Sequence, residues 1–166
     1  MMECMSYPPP LYTGDSGLVN ATVRRTGSPP DLDLAAGGQC HYLATGQETG
    51  GKFGLYRWET GRAAGGPTPH FHRTISESFY VLDGEVEFFE GNDWVTGKPG
   101  DFVHVPEGGI HGFRNVADAP AAMLILFTPG APREDYFETL IDKERTDAMT
   151  PDDWAEFFLR HDTYWT

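Results

Sequence analysis

His70-Phe71-His72-Arg73-Thr74-Ile75-Ser76-Glu77-Ser78-Phe79-Tyr80-Val81-Leu82-Asp83-Gly84-Glu85-Val86-Glu87-Phe88-Phe89 is the stretch on which the fold turns. Two runs rich in β-branched and aromatic residues flank Asp83-Gly84, a dipeptide that accepts the positive backbone angles of a tight hairpin turn. On a strand, residues i and i+2 share a face about 7 Å apart. His70 and His72 therefore aim two imidazoles at one point. Glu77 lies an odd number of residues beyond His72, so an unbroken strand would turn it away. A loop through Arg73–Ser76 must reset the register, after which Glu77, Phe79 and Val81 face inward together.

Downstream, Lys98-Pro99-Gly100-Asp101 and Gly91-Asn92-Asp93 are turns. Pro106-Glu107-Gly108-Gly109 closes a four-residue strand, and His111 opens the returning one with Phe113 and Asn115 inward. The geometry can carry a third imidazole across to the first two. Three imidazoles and a carboxylate can hold a divalent metal with coordination positions left open. Mixed ligation of this kind suits borderline and harder ions.

From Gln39 to Phe127 the pattern is antiparallel all-β. The expected strands are 41–45, 52–59, 70–71, 77–82, 85–90, 93–96, 102–105, 111–115 and 122–127, which implies a sandwich or barrel. Ahead of it, Pro8-Pro9-Pro10 and Gly14 and Gly17 mark an irregular arm. The segment 18–26 reads as a possible first strand. Behind it, Tyr136, Phe137, Leu140 and Ile141 fall on one helical face. A second helix is expected with Thr150 as N-cap and Pro151 at its first position, carrying a stripe of Trp154, Phe157, Phe158 and His161. These helices should cover the outside of the β domain or a partner subunit. The divisions are thus an arm at 1–38, a β domain at 39–128 and a helical extension at 129–166.

The 166 residues carry 12 Lys and Arg against 25 Asp and Glu, a net charge of −13. Nucleic acid and anionic membranes should be repelled. The two cysteines, Cys4 and Cys40, define no disulfide framework and read as reduced thiols. Met1–Ser6 has neither the basic nor the apolar region of a leader, and no apolar run approaches the ~20 residues of a membrane span. A cytoplasmic protein is expected.

His70-x-His72-x4-Glu77-x6-Gly84, preceded by Gly65-Gly66, and Gly100-x5-Pro106-x-Gly108-x2-His111-x3-Asn115 resemble the two motifs of the cupin superfamily. The resemblance implies an all-β jelly-roll barrel over about 39–127, with the arm and the C-terminal helices outside it. It implies that His70, His72, Glu77 and His111 are metal ligands, for iron, manganese, nickel, copper, cobalt or zinc, and that the chain pairs as a homodimer. The set of three His and one Glu resembles that of single-domain flavonol dioxygenases, with Glu77 as the base and O2 as co-substrate. Two alternatives stay open: an isomerase or polyketide cyclase that does not use O2, and a small-molecule-binding barrel with a structural metal. Phe79 and Phe113 flank the ligands and are expected to line the substrate pocket, and His104 is a further candidate for it.

Overall fold

The computed structural model describes residues 7–146 and 149–166. The readings of Met1–Ser6 and of Cys4 lie outside them. The elements in chain order are β1 (Leu32–Asp33), β2 (Gln39–Ala44), β3 (Gly54–Thr60), β4 (His70–Phe71), β5 (Ser76–Asp83), β6 (Val86–Phe89), β7 (Trp94–Gly97), β8 (Phe102–Val105), β9 (Gly112–Arg114), β10 (Ala121–Thr128), α1 (Arg133–Thr146), α2 (Pro151–Arg160) and β11 (Tyr164–Trp165). A short 3₁₀ turn, Ala35–Gly37, joins β1 to β2.

Antiparallel pairing builds one six-stranded sheet in the order β1-β2-β3-β10-β5-β8 and a three-stranded sheet β7-β6-β9. Reciprocal backbone hydrogen bonds between His70 and His111, both 2.9 Å, and a Gly65–Asn115 bridge tie the β4 segment to the β9 side of the smaller sheet. β11 then pairs with β4, with Tyr164 opposite Phe71 and Trp165 opposite His70. The two sheets face each other as an open jelly roll. Their shared core contains Tyr56, Phe79, Val81, Phe88, Met123, Ile125 and Phe127, each at most 2% exposed. Alternation along β5 is visible in the exposure of Tyr80 and Leu82 beside buried Phe79 and Val81.

Gly84 turns the β5–β6 hairpin at φ +70°, and a side chain there would collide with the backbone of Pro120 and Ala121. The segment 18–26 forms no strand. Leu18, Val19 and Val23 are exposed, since no sheet edge is offered to them, and pairing begins only at β1. No helix among the described residues is long and apolar enough to cross a membrane.

The two C-terminal helices fold back on the β domain of their own chain. Phe137 of α1 packs against Tyr56 and Trp58 at ring distances of 5.5 and 5.1 Å. Phe157 of α2 stacks on Tyr136 of α1 at 5.3 Å. The start of α2 is fixed by a capping box: the Thr150 hydroxyl accepts from the Asp153 amide at 3.3 Å, and the Asp153 carboxylate accepts from the Thr150 amide at 2.9 Å. Thr150→Ala should therefore lower stability by about 1 kcal/mol. Urea unfolding checks this, and an unchanged midpoint would mean that α2 is held by Phe157 packing alone.

Candidate metal centre

β4 supplies His70 and the residue after it supplies His72, both buried, as alternation on an extended segment requires. The chain then breaks through Arg73–Ile75 and re-enters a strand at Ser76, which turns Glu77 inward. His111 arrives from the opposite direction, held against His70 by the paired backbone bonds. Gly108, at φ +81°, lets its turn approach closely enough for its amide to donate to His72 O at 2.7 Å. One ligand atom from each of His70, His72, Glu77 and His111 lies within 4.8 Å of the others, and all four side chains are buried.

The protons on the three rings follow from their partners. Each Nδ1 faces a backbone carbonyl, which can only accept: Thr68 O for His70 at 2.9 Å, Asp162 O for His72 at 2.6 Å, and Gly109 O for His111 at 2.9 Å. The proton therefore sits on Nδ1, and each Nε2 turns a lone pair toward the centre. His72 Nε2 is buried with no hydrogen-bond partner, 3.4 Å from Glu77 Oε2. His111 Nε2 lies 2.8 Å from the same oxygen.

Three acceptor nitrogens around a carboxylate leave a cluster of lone pairs without a donor. A divalent cation satisfies that set, so the residues fit a metal. Without one, a proton must bridge His111 and Glu77. Burial pulls the His111 imidazole down, but the Glu77 carboxylate outweighs this and raises it. Burial pushes the Glu77 carboxyl up, and the His111 and His72 rings outweigh this and hold it well below the usual range. His70, pushed down to about 4 by burial and by His111, stays neutral and ligand-competent.

The C-terminal segment completes the surroundings of the four side chains. Asp162, at φ +55°, caps the ligand loop. Its carboxylate accepts from the Arg73 amide at 3.1 Å and from the Thr74 amide and hydroxyl at 2.8 and 2.7 Å. Partial burial raises this carboxyl, but the Thr74 and Arg73 donors outweigh it and leave it low. Trp165 lies 5.2 Å from the His70 ring. Nothing local in the sequence marks Asp162 or Trp165 as site residues, because their roles arise from a return of the chain over some 90 positions. Asp162→Ala keeps the carbonyl that faces His72 but removes the carboxylate that pins it to Arg73 and Thr74, and should weaken metal binding by roughly 10-fold, the low end of what disturbing an outer partner costs. Competition with a chromophoric chelator measures this, and unaltered affinity would show that the Asp162 carboxylate is not needed to place that carbonyl.

A cavity of about 480 Å³ opens beside the cluster. His70 and Glu77 reach its wall, and the rest is mainly apolar, with the rings of Trp58, Phe113, Phe127, Tyr136, Phe137 and Trp165 among it. Phe113 lines this cavity. Phe79 does not: it sits in the core between Phe88 at 5.2 Å and Phe113 at 5.7 Å. His104 does not either. In the β5–β8 register it pairs with Ser78, beside Tyr80 and Phe102, on the outer face, whereas Val105 and Val103 pair with inward Glu77 and Phe79. Its ring is bonded to the Ser78 hydroxyl at 2.9 Å. Cys40 is fully buried, and burial pushes its thiol up, in keeping with a packing role.

The cupin domain model matches residues 55–127. The chain is similar to quercetin 2,3-dioxygenase of Bacillus subtilis (strain 168), at 31% identity over 110 residues that cover 66% of this chain and 32% of that protein. It thus spans about a third of that relative's length. Among solved structures, KdgF from Halomonas sp. superposes with a TM-score of 0.53 at 25% identity, over 63% of this chain and 90% of that one. A sugar phosphate isomerase of the cupin superfamily from Silicibacter pomeroyi DSS-3 superposes with a TM-score of 0.50 at 27% identity, over 62% and 67%. Residues 55–127 thus form a cupin domain, and the C-terminal helices lie outside it.

Proposed function

We propose that this chain is a metal-dependent dioxygenase acting on a small planar substrate that carries an acidic hydroxyl or enol, as flavonols do. The observation that carries the reading is the convergence of three inward Nε2 lone pairs and Glu77 at the wall of an aromatic cavity. His70, His72, His111 and Glu77 would hold the divalent ion, which when bound supplies Lewis acidity and a centre for dioxygen chemistry. Glu77 accepts the proton of the substrate hydroxyl as the ring system slides in, acting as general base. The aromatic walls orient a flat substrate and keep water from the deprotonated oxygen. A cavity of this size matches a small aromatic molecule. The likeness to a quercetin 2,3-dioxygenase supports the choice of chemistry.

The test is reconstitution with iron, manganese, cobalt, nickel, copper or zinc, followed by quercetin in air. Substrate loss matched by oxygen uptake is expected with at least one ion. Conversion that proceeds equally without oxygen would favour the second reading, proton transfer in an isomerase or cyclase, toward which the likeness to a sugar phosphate isomerase points. A compound panel left unchanged with every ion would leave a binding protein.

A further inference from the structure

Arg133 opens α1, beyond the matched cupin domain, yet its side chain is only 5% exposed and lines the same cavity as His70 and Glu77. Its Nη1 donates to His161 O at 3.0 Å. Its Nε is buried without a partner. No carboxylate among the described residues forms an ion pair with the guanidinium. What surrounds it is ring faces: the guanidinium carbon stands 4.1 Å from the Tyr136 centroid and 5.0 Å from that of Phe127. A cation buried against aromatics at a cavity wall, with its Nε–H unused and the Glu77 and Asp162 carboxylates acting on it without forming an ion pair, is a costly arrangement that a further anion would relieve. The guanidinium fork matches the geometry of a carboxylate or a paired phenolate.

We propose that Arg133 is the specificity-determining residue of this site and recognises a second anionic oxygen on the substrate. The reading rests on the metal-enzyme assignment above and deepens it. The substrate class becomes a planar aromatic acid: one acidic hydroxyl or enol directed to Glu77, and a carboxylate or acidic phenolate directed to Arg133. The rings of Tyr136, Phe127 and Trp58 would hold the scaffold between them.

Two probes of equal shape test this, 2-naphthoate and 2-naphthamide, titrated calorimetrically into zinc-loaded protein. Wild type should prefer the carboxylate. Part of that preference comes from the ion and is common to every variant. In Arg133→Met the acid-to-amide preference should fall roughly 10- to 100-fold, the worth of a charge-assisted hydrogen bond, with amide affinity and metal content little changed. Arg133→Lys should recover part of it. The melting temperature of Arg133→Met should hold or rise, since an unpaired buried charge is replaced by a neutral chain of similar length.

An unchanged preference in folded, metal-loaded Arg133→Met would overturn the proposal, as would a wild type that does not bind the carboxylate. A fall in melting temperature in both variants with the preference intact would make Arg133 a strut between α1 and the His161 carbonyl. Failure of wild type to consume oxygen with flavonols, while the Arg133-dependent preference persists, would instead remove the oxygenase reading and leave the anion site standing.

Discussion

Glu77→Gln protein should retain most of its metal and lose turnover by roughly 10²–10⁴-fold, the usual contribution of a positioned general base. The amide oxygen can still face the ion, but it cannot take up a proton from the substrate. Its surroundings sharpen the expectation. The carboxylate is 5% exposed, and its Oε2 is shared between His111 at 2.8 Å and His72 at 3.4 Å. No second carboxylate belongs to the cluster among the described residues, so none stands ready to substitute. Metal analysis alongside initial oxygen uptake separates the two roles. Activity within about tenfold of wild type would remove Glu77 as the base, whatever it contributes to coordination.

The second large effect concerns holding the ion. His72→Ala and His111→Ala should come from purification with little bound metal, losing more affinity than the roughly 10–100-fold that an outer partner costs. Each removes an Nε2 lone pair that its Nδ1 contact has already fixed in direction. His104→Ala is the matched control: its ring lies on the outer face of the large sheet and should leave metal content unchanged. Elemental analysis of the three proteins side by side decides. Equal metal in His72→Ala and wild type would mean that the cluster is not the centre that binds.

Much of this centre is legible in the sequence because its geometry is local. His70 and His72 share a face by strand alternation, and the break before Ser76 is what lets Glu77 join them. Asp83-Gly84 and the Pro106–Gly109 turn fix where strands reverse, and Thr150 with Pro151 and Asp153 announces α2. What is not legible depends on which side of an element meets another. Phe102 and His104 share parity as expected, but β8 presents both to the outside, a fact set by its pairing with β5. Phe79 faces inward as alternation requires, yet the cavity lies toward β3, β10 and α1, so the ring ends in the core. Val19 and its neighbours have strand composition but no edge to join. Arg133 and Asp162 carry no motif: α1 sets the place of the first, and only the return of the tail that of the second.

That return has a consequence for the order of assembly. The carbonyl that faces His72 Nδ1 belongs to Asp162, and the last rung beside His70 is Trp165, so the four clustered side chains are braced only once residues 162–165 have docked. Binding of an ion should accordingly be weak while that segment is undocked and become firm when it pairs with β4.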